Sequence, residues 1–393
     1  MSDQSYQSGL LPTGLIDALP PDAEQESAAA ERALNLLALY GYQQVAPPLL
    51  EFEESFLTGA GEPLARETFR IMDPASQRML VLRSDMTPQI SRVAATRLSN
   101  VPRPLRLCYL GQVLRVSGGR PGAERQLRQA GAELIGSSRP EADAEIVLLA
   151  AAALKAIGVE DVTVDLNLPR MASSAAISAG LIDEATPALI DALDRKDISE
   201  IARVAPDAAG LLGQLIDAGG RADEALGSIK RAKLDPISAE RVERLETIVS
   251  LVRAEAPDLL MTIDFVEHRG FDYYSDVAFS LFSKGRLGEL GRGGRYQAPV
   301  REGGDPAGEP AVGFSLFMSA AGQAAQRKAP PARIFLPFGF GMSVAREAIQ
   351  AAGCVTISGL DPDSDPHEEA KRLECQGLWR DGAIEFFKEG YRS

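Results

Sequence analysis

The sequence predicts an α+β fold with a mixed or antiparallel sheet, and three observations carry that expectation. Strand-like and helix-like segments interleave without a strict βαβ rhythm. From Met171 to about Pro257 the composition shifts to Ala, Leu, Ile, Asp and Arg with recurrent Gly and few aromatics. Strand signals then resume. The expectation is a single sheet interrupted in sequence by a small all-helical insertion.

In chain order, residues 22–40 read as a helix, with Ala30, Leu34 and Leu37 at helical spacing, Asp22 as N-cap and Gly41 as the stop. Tyr42 to Leu50 reads as extended, with a Pro-Pro break. Short strands are expected at 79–83, 105–110 and 133–135, then a helix at 140–157 and a strand at 162–167. Beyond the insertion, strands are expected at 261–267, ending at His268, and at 273–282. Residues 303–310 read as a loop, and 323–331, polar and carrying Pro-Pro, as a linker. The tail should give a strand at 333–337, a helix at 343–352, a strand at 355–358 and a helix beginning near Pro366. GFGMS at 339–343 lacks the third glycine of a dinucleotide loop and reads as a turn. The division expected is a core domain over 1–325, with the helical insertion at about 171–257, and a small α/β segment over 332–393.

Composition narrows the function. A chain of 393 residues with 45% hydrophobic and 24% charged residues should fold as a globular protein of two to three domains. The longest apolar run, Ile146 to Leu154, is far short of the ~20 residues of a membrane span. The N-terminus lacks a basic and apolar leader, so a cytoplasmic location is expected. Three cysteines without metal-ligand spacing argue against a disulfide framework or a zinc site. With 41 Lys plus Arg against 55 Asp plus Glu, the net charge of -14 disfavours nucleic acid as a partner. Only two histidines, His268 and His367, leave little room for Ser-His or His-metal chemistry.

Five segments stand out: LRSDMT at 82–87, LRVSGGRPGAERQLRQAGAELIG at 114–136, HRGFDYYSD at 268–276, GGRY at 293–296 and AVGF at 311–314. Polar side chains on core-facing strands cost free energy unless paired. Asp85, Gln129, Glu133, Arg269 and Tyr274 therefore need partners in one another or in a ligand.

Together with the opening TGLIDALPPDA and the segment YGYQQVAPPLLE, these motifs fall in the order of histidyl-tRNA synthetase, which the chain resembles over roughly residues 10–320. LRSDMT stands where that family has LRPEGT. The resemblance implies a class II aminoacyl-tRNA synthetase-like antiparallel sheet of six or seven strands flanked by helices. It also implies self-association through the motif-1-like segment 40–51, the helical block as the family's insertion, and the tail as a reduced anticodon-binding domain.

The departures from that family bear on function. In the synthetase, motif 2 gives an arginine to the ATP α-phosphate, a glutamate to adenine and a phenylalanine that stacks on the base. This chain keeps Arg115 at the first position, but Ser117 replaces the glutamate and Leu127 the aromatic; a further loop arginine has become Ala123, while Arg125 remains. Motif 3, about GFAxGxER in the family, reads GFSLFMSA here, with Ala320 at the arginine and Phe317 at a glycine. The nucleotide site is thus vestigial, reduced to Arg115 and Arg125. The amino-acid pocket is kept. By the same resemblance, Asp85, Thr87 and Gln129 address the α-amino group of histidine, Glu133 and Tyr274, with Tyr273 beside it, the imidazole, and Arg269 the carboxylate.

A kept amino-acid pocket beside lost nucleotide contacts resembles the regulatory subunits of ATP phosphoribosyltransferase, a family of synthetase paralogues. That resemblance implies a non-catalytic chain with no cofactor or metal, and the short-form catalytic subunit as its partner. Histidine would be the effector, in feedback inhibition of the first step of histidine biosynthesis, and the chain a self-dimer within a hetero-octamer. Two other readings stay open at this level: a divergent histidyl-tRNA synthetase, with Arg327 or another distant residue replacing the motif 3 arginine, and a non-aminoacylating tRNA-binding module. The pocket residues could also form a relic network with no ligand. Loss of a charge clamp costs an adenylyl-transfer site several powers of ten in rate. Histidine-dependent pyrophosphate exchange by the purified chain should therefore stay at the no-enzyme level, and exchange above it would restore the synthetase reading.

Overall fold

The central strands are buried along consecutive residues, which places them in a sheet covered on both faces. The strands in chain order are β1 Gln43–Gln44, β2 Leu50–Phe52, β3 Phe69–Met72, β4 Met79–Leu82, β5 Leu105–Leu114, β6 Gln126–Ile135, β7 Val162–Asn167 and β8 Gly220–Arg221. They continue with β9 Leu260–Asp264, β10 Ala278–Ser283, β11 Gly291–Ala298, β12 Glu309–Phe317, β13 Arg333–Leu336, β14 Val355–Ser358, β15 Gly377–Arg380 and β16 Ala383–Phe386. The computed structural model describes residues 10–57, 59–117, 124–178, 187–267, 274–285, 288–299, 308–326, 329–338 and 342–387. Expectations that fall on His268, Arg269, Tyr273, Ala123, Arg327, residues 303–307 and residues 339–341 lie outside the described residues. The chain divides into two units, Met1–Gln326 and Arg327–Ser393.

In the first unit, nine strands among the described residues form one sheet in the order β1-β5-β6-β12-β11-β10-β7-β9-β8. The six strands from β5 to β7 pair antiparallel; β1 joins β5 and β9 joins β7 in parallel, which makes the whole sheet mixed. A parallel pair needs a long crossover, and the insertion between β7 and β9 supplies it. On one face, Ala130, Ala132 and Leu134 of β6 and Val312, Phe314 and Leu316 of β12 share a core with the helices Asp22–Leu39 and Pro140–Ile157. The first helix presents Ala29, Ala30, Ala33 and Leu37 inward, small side chains that let it lie close to the sheet. The other face carries the helix Thr87–Thr96, whose Ile90 and Ala94 share a second apolar cluster with Tyr109, Tyr296 and Ala311, and among them lie the buried polar groups of Gln129 and Glu133. A second sheet, β2-β4-β3, adjoins that helix's N-terminal side in sequence.

The structure departs from the expectations in several places, each with a physical reason. Asp22 is the first helical residue rather than the N-cap, which is Pro21; an acidic side chain there still suits the positive end of the helix. The strand expected at 133–135 runs from Gln126, because Gln129 and Glu133 face a polar site and break the apolar pattern. Strand β9 stops at Asp264, whose Oδ1 accepts the amides of Val266 (2.9 Å) and Glu267 (3.1 Å) and turns the chain out of the ladder. Regular pairing in β10 begins at Ala278 rather than at 273. The insertion is not all helical: Gly220 and Arg221 pair antiparallel with Ile263 and Thr262 at the sheet edge.

The second unit has the strand order β14-β13-β15-β16, with helices Ser343–Ala351 and Pro366–Arg372. Asp365 caps the latter through His367 N and Glu368 N, both at 2.9 Å. The β15-β16 hairpin goes unforeseen in the sequence, although Asp381 (φ 51) and Gly382 (φ 84) form the Asp-Gly turn such hairpins favour.

On the helical side of the sheet, Arg295 of β11 is buried and donates through Nε to Asp143 Oδ1 at 2.8 Å and through Nη1 to Ser137 O at 2.8 Å. Asp143, 2% exposed, is thereby fixed at the start of the Pro140–Ile157 helix. Replacing Arg295 by Met would leave a buried carboxylate short of a partner, at a cost of about 3–5 kcal/mol. A clear fall in the urea midpoint of Arg295→Met is expected; an unchanged midpoint would show the pair to be dispensable.

Candidate functional site

The buried polar groups on the sheet face that carries the Thr87–Thr96 helix are assembled by register. Gln129 and Glu133 of β6 lie opposite Phe317 and Gly313 of β12, and Gly313 lies opposite Gly294 of β11. Side chains at alternate positions share a face, so Gln129, Glu133, Ser315 and Tyr296 point into one region. Asp85 enters it from the turn after β4, immediately before the Thr87–Thr96 helix.

These residues join in one hydrogen-bonded network. Asp85 Oδ1 accepts from Thr87 N (2.9 Å) and Oδ2 from Gln129 Nε2 (3.0 Å). Gln129 Oε1 in turn accepts from Met86 N at 3.1 Å. Thr87 Oγ1 donates to Glu133 Oε1 at 2.9 Å, and Tyr296 OH donates to Glu133 Oε2 at 2.9 Å. The Tyr109 hydroxyl lies 3.3 Å from Glu133 Oε1 and 2.8 Å from Ser315 Oγ. Glu133 is 1% exposed and Gln129 0%. Space for the carboxylate depends on glycine: a β-carbon on Gly313 would run into Glu133 Oε2, and one on Gly131 into the Tyr109 hydroxyl.

Burial pushes the Glu133 carboxyl up to about 8, against the opposing pull of the Thr87 and Tyr296 hydrogen bonds. Burial, and next the charge of Glu133, also push the Tyr109 and Tyr296 hydroxyls well above the usual tyrosine value, so both stay protonated as donors.

Of the residues marked out in the sequence, Asp85, Thr87, Gln129 and Glu133 come together here. Tyr274 is buried in the apolar cluster that includes Met86, Tyr109 and Tyr296. Arg269 and Tyr273 lie outside the described residues. Arg115 borders the network: Nη2 stands 3.7 Å from Asp85 Oδ2, and Nε is 3.8 Å from Glu67 Oε2 and donates to Ser84 O at 3.3 Å. Arg125 is turned elsewhere, donating to Thr13 O and Arg115 O, both at 3.2 Å, with its guanidinium over the Phe69 ring. Leu127 packs against the same apolar cluster, and the Phe317 ring lies 6.0 Å from the Arg115 guanidinium.

Tyr109, Tyr296 and Arg83 are site residues that the sequence did not single out. Tyr296 ends the GGRY segment, and Tyr109 is hidden in an apolar strand where a hydroxyl gives no periodic signal. Arg83, 7% exposed, donates to Gln112 O (2.7 Å) and Pro47 O (3.0 Å) and so fixes the turn that presents Asp85. Among the described residues no group of three His, Cys, Asp or Glu is arranged to hold a metal ion.

The fold is that of a histidyl-tRNA synthetase-like protein. The family description "Histidyl-tRNA synthetase" matches residues 14–321. A crystal structure titled as an ATP phosphoribosyltransferase regulatory subunit/histidyl-tRNA synthetase from Bacillus halodurans superposes with TM-score 0.76 at 21% identity, over 94% of this chain and 97% of that one. Histidyl-tRNA synthetase from Nostoc superposes with TM-score 0.74 at 17% identity, over 94% and 90%. These likenesses are of fold. Within that class, the chain belongs to the family of ATP phosphoribosyltransferase regulatory subunits. It is 45% identical to the one from Rhodospirillum centenum, over 97% of both chains, and 46% identical to that from Paramagnetospirillum magneticum, over 97% of this chain and 99% of the relative. No helix among the described residues is long and apolar enough to cross a membrane.

The raised Glu133 carboxyl has a consequence for stability. Between about 4.5 and about 8 the folded chain holds a proton that the unfolded chain releases. Its contribution is therefore fully present below pH ~4.5 and lost as pH rises toward ~8. Measured against Glu133→Gln, which cannot titrate, the wild type should lose on the order of a few kcal/mol between pH 5 and pH 8. A pH-independent difference in urea midpoints between the two would refute the assignment.

Proposed function

We propose that the chain binds free histidine in the Asp85–Glu133 site and regulates a short-form catalytic subunit of ATP phosphoribosyltransferase, activating it and carrying feedback inhibition by histidine. The observation that carries this reading is the single buried network of Asp85, Thr87, Gln129 and Glu133. Residues expected to address opposite ends of one amino acid are hydrogen-bonded to each other. Asp85, Thr87 and Gln129 take the α-ammonium, Glu133 and Tyr274 the imidazole, and Arg269 the carboxylate, with Tyr273 alongside. Charge-assisted bonds to the ammonium and the carboxylate contribute ~1.5–3 kcal/mol each.

The nucleotide side supports a role without adenylation. Arg115 lies against Asp85 and Glu67, and Leu127 and Ala320 offer no polar group to a base or a phosphate. The acidic balance of the chain argues against a tRNA-binding role. Self-association is proposed through the segment 40–51, where Tyr40, Leu49 and Leu50 are exposed apolar side chains. The proposed assembly is a hetero-octamer containing such dimers, in the cytoplasm where histidine is made.

Glu133→Ala should weaken histidine binding by about 1.5–3 kcal/mol, roughly ten- to a hundredfold, in titration calorimetry. In the reconstituted complex, phosphoribosyltransferase activity should persist while inhibition by histidine moves to higher concentration. Equal affinity in both chains would remove Glu133 from the site, and no binding to the wild type, alone or in complex, would leave the network without a ligand.

A further inference from the structure

Two carboxyl groups lie in the site, and one residue bridges them: Thr87 N donates to Asp85 Oδ1 and Thr87 Oγ1 to Glu133 Oε1, both at 2.9 Å. Their surroundings differ. Asp85 has N–H donors from Thr87 and Gln129 and the Arg115 guanidinium at 3.7 Å. Glu133 has hydroxyls alone and, among the described residues, neither an amide nor a cation: Thr87 and Tyr109 stand at Oε1 and Tyr296 at Oε2. An N–H can only donate, whereas a hydroxyl can turn and accept. Tyr109 lies 3.2 Å from Phe314 O, so it can donate there and leave its oxygen, 3.3 Å from Glu133 Oε1, to receive a proton from the acid. Thr87 and Tyr296 then still donate to the two carboxyl oxygens. The hydroxyl ring thus satisfies Glu133 with its proton on, which a ring of N–H groups would not.

We infer that Glu133 meets the imidazole as a neutral acid that donates its proton, so that the site takes histidine with an uncharged ring and binding is coupled to the proton on Glu133; this rests on the proposed histidine reading for its ligand.

In the complex, one proton lies between a Glu133 oxygen and the bare ring nitrogen. Near pH 7 both partners arrive ready for that contact. The ring of free histidine is neutral above its usual ~6.5. Glu133, pushed up to about 8 by burial, with the Asp85 charge adding to it, still holds its proton. Above about pH 8 the carboxylate must take a proton from water in order to bind, and below about pH 6.5 the imidazolium must give one up. Affinity is therefore greatest between those limits. The titratable groups that face Glu133 are Asp85 from the turn after β4, Tyr109 from β5 and Tyr296 from β11, with Tyr274 in the same apolar cluster. Helix Thr87–Thr96 and β12 bring Thr87, Ser91 and Ser315, whose hydroxyls do not titrate in this range. Arg115 stands against Asp85, and Tyr42, with Glu145 and Arg106, belongs to the core on the helical side. Both Tyr109 and Tyr296 stay protonated well past this range, which leaves the alkaline limb to Glu133.

The test compares the full wild-type chain with Glu133→Gln, which cannot titrate. Without ligand, the infrared spectrum at about pH 6.5 should show a protonated-carboxyl band in the wild type that the variant lacks and that fades toward about pH 9. In calorimetry, the ratio of wild-type to variant affinity for histidine should be level near pH 7 and fall toward about tenfold per pH unit above pH ~8. The titration of histidine itself cancels in that ratio. A ratio that is flat or rises with pH overturns the inference, because a carboxylate acceptor binds better once ionised. Absence of the carboxyl band at about pH 6.5 overturns it as well. Should Glu133→Gln not fold, the wild type decides alone at about pH 8, where the ammonium of free histidine is intact: buffers of different ionisation enthalpy should report about half a proton taken up on binding, and no uptake, or release, overturns the inference. A wild type that binds no histidine at any pH removes the proposed ligand and this coupling with it, whereas binding with the wrong pH dependence removes the coupling alone.

Discussion

A carboxyl group shut away from water, that of Glu133, constrains the centre of the first unit. Removing such a group from solvent is costly unless donors surround it. Thr87, Tyr109 and Tyr296 supply hydroxyls from three different elements, so helix Thr87–Thr96, β5 and β11 must all be in register for the carboxyl to be satisfied. Gly313 and Gly131 are bare for the same reason, since any side chain there would occupy the carboxyl's or the Tyr109 hydroxyl's space. Asp85 and Gln129 then extend the network toward the side where an ammonium is expected.

The strand β11 ties this network to the opposite face of the sheet. Successive residues of a strand point to opposite faces, so Arg295 faces the helices and Tyr296 the site. One dipeptide thus belongs to two polar systems: the buried ion pair with Asp143 and the ring of hydroxyls around Glu133. Family membership accords with the pattern of what is kept. Asp85, Thr87, Gln129 and Glu133 are joined in one hydrogen-bonded network, whereas Arg115 leans on carboxylates and Arg125 is spent on backbone carbonyls.

Much of this was legible in the sequence, because the long elements obey simple periodicity. The helix 140–157 has Pro at its first position, acidic residues in its first turn and Gly158 at φ 104 as its stop, and the structure places it at the same residues. Strand β7 matches likewise. Polar residues of β6 were harder, since Gln129 and Glu133 interrupt the alternation that marks a strand while they are the reason it matters. The site was legible as motifs but not as contacts: Asp85 and Gln129 are far apart in the chain, and only register brings them to 3.0 Å. Tyr109 could not be found by pattern, because its buried hydroxyl is indistinguishable in sequence from an apolar ring. The edge strand Gly220–Arg221 is two residues long and carries no propensity signal.

That brevity has a consequence of its own. Among the described residues the nine-stranded sheet ends at one side in Gln43–Gln44 and at the other in Gly220–Arg221, strands of two residues each. Exposed edges of full length invite pairing with a further chain, and very short ones discourage it. Growth of this sheet by adding strands end to end is therefore disfavoured at both borders, and association with other chains is left to side-chain surfaces, where recognition depends on shape and charge rather than on the backbone common to all proteins.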